Sequence, residues 1–189
     1  MLSKERSVVE NFELIQKKVM QEGFVKFPAY NKNGLKYIGD QKPFQNIDPR
    51  ITKFTSDYLP NSRYIHIIRH PANVISSCLN FGRNNDGGFM WKGLSPEEIL
   101  AKWVLVEQWV SKEKSKNLNN IIDIRYEDIT SNPDKSIYSI FKYLELELSQ
   151  AKLKEISATY ELNNKPGVSG LSYSKDALEI MKKYNYHIK

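Results

Sequence analysis

A chain of 189 residues with 40% apolar content can bury one respectable core and is read as a single domain over residues 1–189. Its formal charge of +6 favours anionic ligands without choosing among them, and the lysines at 112, 114 and 116 fit a solvated helix end better than a nucleic-acid stripe. One cysteine, Cys78, excludes an internal disulfide framework and suits a reducing, cytoplasmic setting, and the chain contains no apolar run of the about 18 residues a membrane span needs.

The opening MLSKERSVVENFELIQKKVM alternates charged with apolar residues, unlike a secretory signal. Val8, Phe12, Ile15 and Val19 recur at helical spacing, which predicts an amphipathic helix over residues 7–20 closed by Gly23. Residues 35–38 read as a strand running into a loop at 39–43. Asp48-Pro49 then supplies a cap and a first-turn proline for a helix through Ile51, Phe54 and Tyr58 that stops before Pro60.

Residues 64–68, YIHII, are too short for a helix between breakers and rich in β-branched side chains, so they predict a buried strand. Arg69 follows at its carboxyl end, and Pro71 opens a helix in which Val74, Ile75, Cys78 and Leu79 face the sheet. His70, Asn73 and Ser77 fall at i, i+3 and i+7, a polar stripe running back towards the arginine. Residues 82–88 read as a flexible loop. Ser95-Pro96-Glu97-Glu98 combines a capping box with a first-turn proline, predicting a helix from Pro96 to about Lys114 that buries Ile99, Trp103, Val106 and Val110. Residues 121–125 are a second strand, followed by a Tyr126-Glu127-Asp128 turn and a helix from Asn132-Pro133 carrying Ile137, Ile140, Phe141 and Leu144. Strands alternating with helices give the α/β class: a parallel sheet flanked by helices.

Ligands of open α/β sheets sit beyond the carboxyl ends of the strands, where a helix N-terminus points its N–H groups and positive dipole end. A guanidinium there adds a planar fork of donors suited to phosphate or sulfate. Arg69 therefore has two readings: part of an anion site with Ser77, or a sheet cap paired with a carboxylate, with Ser77 only a small residue at a tight crossing. Glu127 and Asp128 read as capping their turn and tying down Arg125 in preference to catalysis. His66 reads as a core residue and His187 as solvated.

The stretches RYIHIIRHPANVISSCLNF and IIDIRYEDITSNPDKSIYSIFKYLEL together resemble sulfotransferases that use 3′-phosphoadenosine-5′-phosphosulfate, a family with a P-loop-kinase-like fold. The resemblance implies that Arg69 and Ser77 bind the nucleotide's 3′-phosphate, with His70 standing where the family usually has aspartate. It implies an adenine contact for Tyr126. Lys165-Pro166-Gly167-Val168-Ser169-Gly170 is similar to the family's late basic loop, which carries over Lys165 and Gly167 as phosphate contacts. Gly39-Asp40-Gln41-Lys42-Pro43 resembles a family turn with its lysine one position late, making Lys42 the candidate for charge stabilisation and Asp40 for the base. The family's Gly/Ser/Thr-rich loop for the 5′-phosphosulfate has no counterpart before Lys36, so the resemblance implies either an N-terminally incomplete enzyme or a catalytically silent nucleotide-binding module. The implied donor substrate is the phosphosulfate nucleotide, without a metal, and the implied acceptor is a hydroxyl or amine of a carbohydrate or small molecule. Nucleic acid is not an expected partner.

Overall fold

The structure is a computed structural model that describes residues 7–21, 44, 47–84, 91–116, 120–159 and 167–188. Contacts divide the chain into two compact units, Met1–Ser62 and Arg63–Lys189. The first contains α1 (Val8–Gln21) and α2 (Pro49–Tyr58). A reciprocal pair caps α1: the Ser7 hydroxyl accepts from the Glu10 amide at 3.2 Å and the Glu10 carboxylate from the Ser7 amide at 2.8 Å. Asp48 caps α2 by accepting from the Arg50 amide at 2.9 Å, and Pro49 takes the first helical position, as the sequence predicts. The strand expected at 35–38 and the closing Gly23 lie outside the described residues.

The second unit follows the expected alternation. It runs β1 (Tyr64–Ile68), α3 (Pro71–Asn84), α4 (Pro96–Ser115), β2 (Ile121–Arg125), α5 (Tyr126–Ser131), α6 (Pro133–Tyr143), α7 (Gln150–Ala158) and α8 (Lys175–Lys183). β1 and β2 pair in parallel, with Tyr64 opposite Ile121 and Ile68 opposite Arg125, so both carboxyl ends finish level. Serine and asparagine caps set the helix starts: the Ser95–Glu98 box opens α4, and Asn132, Ser149 and Ser174 each accept an amide of the following first turn.

Ile68, Ile75, Ile99, Trp103, Met181, Tyr184 and Tyr186 form the core on one side of the strand pair. On the other side β1 is open among the described residues, with Ile65 and Ile67 39% and 52% exposed, while Ile124 of β2, the register partner of Ile67, is buried at 8%. β1 is thus half-buried with a period of two, a correction to its reading as a buried strand. A strand covered on one face keeps only alternate side chains from water.

Three further differences matter. α3 continues through Gly82 and Arg83 to Asn84, where a loop was expected, and residues 85–88 of that stretch lie outside the described residues. Gly82 is there for a close approach, since a Cβ would stand 3.1 Å from the Trp91 backbone. The Tyr126-Glu127-Asp128 turn is the first turn of α5. On α4 the buried stripe takes Glu107 and Glu113 in addition to Ile99, Trp103 and Val110, and leaves Val106 only half-buried. No described helix is long and apolar enough to cross a membrane.

Candidate functional site

Level strand ends put Arg69, which follows β1, beside Arg125 and Tyr126, where β2 passes into α5. The Arg69 guanidinium carbon lies 4.2 Å from the centroid of the Tyr126 ring, a cation against an aromatic face. Among the described residues its Nε is buried without a hydrogen-bond partner, and Asn73 Oδ1 in the first turn of α3 shares that condition. Buried polar atoms are nearly always satisfied, so two neighbouring unpaired ones are unusual, and Arg125 Nε at the other strand end is a third.

The late loop closes on the same turn. Val168 donates its amide to the Ala72 carbonyl at 3.2 Å, and Gly167 lies so near that a Cβ would stand 2.6 Å from Asn73 Oδ1 and 2.9 Å from Ala72 Cβ. Only glycine permits that approach. Val168, Leu171 and Tyr173 pack on the core and hold the loop in place. Asn73 and Ser77, four residues apart, share a face of α3, so the loop, Asn73 and the exposed Ser77 hydroxyl follow one another along it. Arg69 also acts on neighbouring Cys78: burial pushes the thiol up to about 11, against the pull of the guanidinium.

His70 is the N-cap residue of α3. Its carbonyl accepts from the amides of Asn73 and Val74, and its Nδ1 accepts from the Ala72 amide at 3.2 Å. An imidazole nitrogen that accepts carries no proton, so the hydrogen sits on Nε2, which donates to the His187 carbonyl at 2.8 Å. The first-turn amides of Ala72 and Asn73 are therefore already bonded, correcting the expectation that they point free at a ligand. The helix still directs the positive end of its dipole to this turn. His70 is 3% exposed and sits edge-on to Tyr186 at 5.3 Å.

Glu127 ties the two strand ends together. One carboxylate oxygen accepts from the His70 amide at 3.0 Å and the other from the Tyr186 hydroxyl at 2.7 Å. Burial, then Glu127, raises the Tyr186 hydroxyl well above the usual phenol range, so it stays a donor. Asp128 lies 3.8 Å from the Arg125 guanidinium. Asp128 thus stands beside Arg125 as read from the sequence, whereas the hydrogen bonds of Glu127 go to His70 and Tyr186.

A second polar cluster lies one turn into the sheet. His66 on β1 sits between Asp123 of β2, 2.9 Å from Nδ1, and Glu107 of α4, 3.1 Å from Nε2. Two carboxylate acceptors require a proton on each ring nitrogen. Burial opposes that charge, but the two hydrogen bonds outweigh it and hold the pKa at about 9. Asp123 also accepts from Lys114 and, at 3.3 Å, from the Tyr184 hydroxyl; although burial works against the carboxylate, His66 and Lys114 pull it down to about 2. His66 is a core residue as expected, but a charged one, and it is what permits Glu107 to be 3% exposed.

Arg69, Tyr126 and Gly167 therefore gather at the β1 end and the head of α3, with Ser77 two turns along. Asp40, Lys42 and Lys165 lie outside the described residues. Asn73, Tyr186 and the His187 carbonyl were not singled out as contributors by the sequence; Asn73 alone left a trace, in the polar stripe.

A sequence model of the sulfotransferase family matches residues 4–150. The chain belongs to the sulfotransferase family. A solved sulfotransferase domain from the curacin biosynthetic pathway superposes with a TM-score of 0.60 over 98% of this chain and 76% of its own, at 14% identity. That likeness speaks for the fold, the α/β P-loop-like arrangement in which two parallel strands deliver their carboxyl ends to one site.

Proposed function

We propose that this sulfotransferase takes its sulfuryl group from 3′-phosphoadenosine-5′-phosphosulfate and passes it to a hydroxyl or amine of a carbohydrate or small molecule. The observation that carries the reading is Arg69: a guanidinium at a strand tip, laid on an aromatic ring, with a buried Nε that has no hydrogen-bond partner among the described residues. In this reading Arg69 and Ser77 hold the 3′-phosphate, with the positive end of α3 behind it. Lys165 and the Gly167 backbone close over it. Tyr126 offers adenine the part of its ring that Arg69 leaves uncovered.

Transfer forms a bond from the acceptor oxygen or nitrogen to sulfur as the bond from sulfur to the 5′-phosphate oxygen breaks. The acceptor's proton passes to a base, assigned here to Asp40, and adenosine 3′,5′-bisphosphate leaves with its new charge met by Lys42. Positioning in line does most of the work, as in phosphoryl transfer.

Calorimetric titration with adenosine 3′,5′-bisphosphate and with adenosine 5′-phosphate tests the binding half: the bisphosphate should bind more tightly, and equal affinities overturn the assignment of Arg69 and Ser77. Transfer of labelled sulfate from the phosphosulfate donor to an acceptor panel tests the chemical half. Binding without transfer to any acceptor points to a silent nucleotide-binding module.

A further inference from the structure

Four residues close a ring that neither strand end could form alone. The His70 amide donates to Glu127, Tyr186 donates its hydroxyl to the same carboxylate, and His70 Nε2 donates to the carbonyl of the next residue, His187. The ring joins the β1–α3 turn, the β2–α5 turn and the segment after α8. It is anchored on both sides: the Arg125 guanidinium lies 4.8 Å over the Tyr186 ring, and the Tyr186 amide donates to the Met181 carbonyl at 2.8 Å. Arg69 is the residue between β1 and His70, so the turn that aims its guanidinium is fixed by contacts 57 and 117 residues away in sequence.

We infer that the segment after α8 is a working part of the anion site, with His70 and Tyr186 as positioning residues that set Arg69 for the 3′-phosphate; this rests on the nucleotide reading above. His70 does two separable jobs. Through Nδ1 it caps α3, a task a short polar side chain also performs, and through Nε2 it reaches His187, which a shorter side chain cannot. Tyr186 contributes a ring that packs and a hydroxyl that bonds, and these also separate cleanly.

Two conservative variants isolate the ring. His70→Asn keeps an acceptor for the Ala72 amide and removes the donor to His187; Tyr186→Phe keeps the ring under Arg125 and removes the hydroxyl. Tyr186→Phe should weaken adenosine 3′,5′-bisphosphate binding by about tenfold, the worth of one hydrogen bond to a charged group, and His70→Asn by about fivefold, that of a neutral one; both should leave adenosine 5′-phosphate binding unchanged. A variant that melts at a lower temperature yet binds the bisphosphate like the parent overturns the positioning role and leaves the proposed function standing. Parent protein that does not distinguish the two nucleotides overturns both. Hydrogen exchange on the unaltered chain gives a reading independent of folding in the variants: by reciprocity, bisphosphate should slow exchange at the His70, Ala72 and Tyr186 amides together. Unchanged exchange at Tyr186 on saturation rejects the inference.

Discussion

Arg69 and Tyr126 come from the ends of two different strands and meet with the guanidinium carbon 4.2 Å from the ring centroid. The contact exists because β1 and β2 are parallel and in register, so one strand's first residue beyond the sheet and the other's first helical residue stand side by side. An aromatic face holds a guanidinium without occupying its N–H donors, which stay directed at a ligand. Replacing Tyr126 with leucine should weaken bisphosphate binding by about 1 kcal/mol, the size of a partly shielded cation–aromatic contact. Tyr126→Phe, which keeps the face, should bind within about twofold of the parent. Titration calorimetry on the three proteins checks both statements; a phenylalanine variant as weak as the leucine one assigns the effect to the hydroxyl.

Removing the cation itself should cost more. Arg69→Ala loses charge-assisted hydrogen bonds in a partly buried site, so bisphosphate affinity should fall by about 2 kcal/mol or more, a factor of about 30. Arg69→Lys keeps the charge but gives up the planar fork and its seat on Tyr126, and it should fall between the two. The alanine variant should still fold, losing only about 1 kcal/mol with the Tyr126 contact, because among the described residues Arg69 Nε makes no hydrogen bond. Circular dichroism and thermal melts establish the folding, and binding at the parent affinity sinks the assignment.

The His66 cluster predicts a pH dependence of stability. With a folded pKa of about 9 against an ordinary value of 6.5, the imidazolium contributes stability that is complete below about pH 6.5 and lost as pH rises through 9. The gap corresponds to a contribution on the order of 3 kcal/mol. Asp123, held at about 2, works in the opposite direction: its share is present above about pH 4 and lost as pH falls through 2. Urea unfolding from pH 6 to 10 should therefore show a falling midpoint on the alkaline side. His66→Asn should be less stable below about pH 9, because Glu107 then lies buried beside no cation, and the deficit should shrink as the parent's imidazolium deprotonates. It should also lose the alkaline decline, and a variant that keeps the parent's slope transfers the effect to another group.

Local chemistry made much of this architecture readable in advance. Asp48-Pro49, the Ser95–Glu98 box and Asn132-Pro133 announce helix starts because each satisfies its first turn with side chains a few residues away. Arg69 was readable for the same reason, since strand, arginine and helix-opening proline are neighbours. α7 and α8 were not singled out, although Ser149 and Ser174 cap them in the same way, because their buried residues are few: Leu153 in one, Ala177 and Met181 in the other. What local pattern does not carry is partnership across the chain. Glu107 looks like a solvated helix residue until His66, 41 positions earlier, is placed against it. His187 reads as a solvated histidine, and its side chain is exposed, yet its backbone carbonyl fixes the tautomer of His70. Free first-turn amides were expected on α3 for the same cause: a histidine cap is legible only once its ring is seen turned back on Ala72.

Gly167 offers the sharpest steric test. Its φ is not left-handed, so the position demands glycine for space alone, and alanine there meets two different neighbours. Asn73 Oδ1, 2.6 Å from the added Cβ, belongs to a side chain that can rotate away, but Ala72 Cβ at 2.9 Å is fixed to the helix. Relief must come from the loop backing off, which stretches the 3.2 Å bond from the Val168 amide to the Ala72 carbonyl. Gly167→Ala should therefore destabilise the fold by about 1–3 kcal/mol, the usual range for overpacking. Bisphosphate affinity should fall as well, because the loop leaves the head of α3. The double variant Gly167→Ala with Asn73→Ala separates the two contacts: removing the amide side chain clears the shorter clash and leaves the one with Ala72, so only part of the stability should return. Thermal melts of the single and double variants measure that fraction, and full recovery would show that the loop's seat depends on Asn73 and not on the helix backbone.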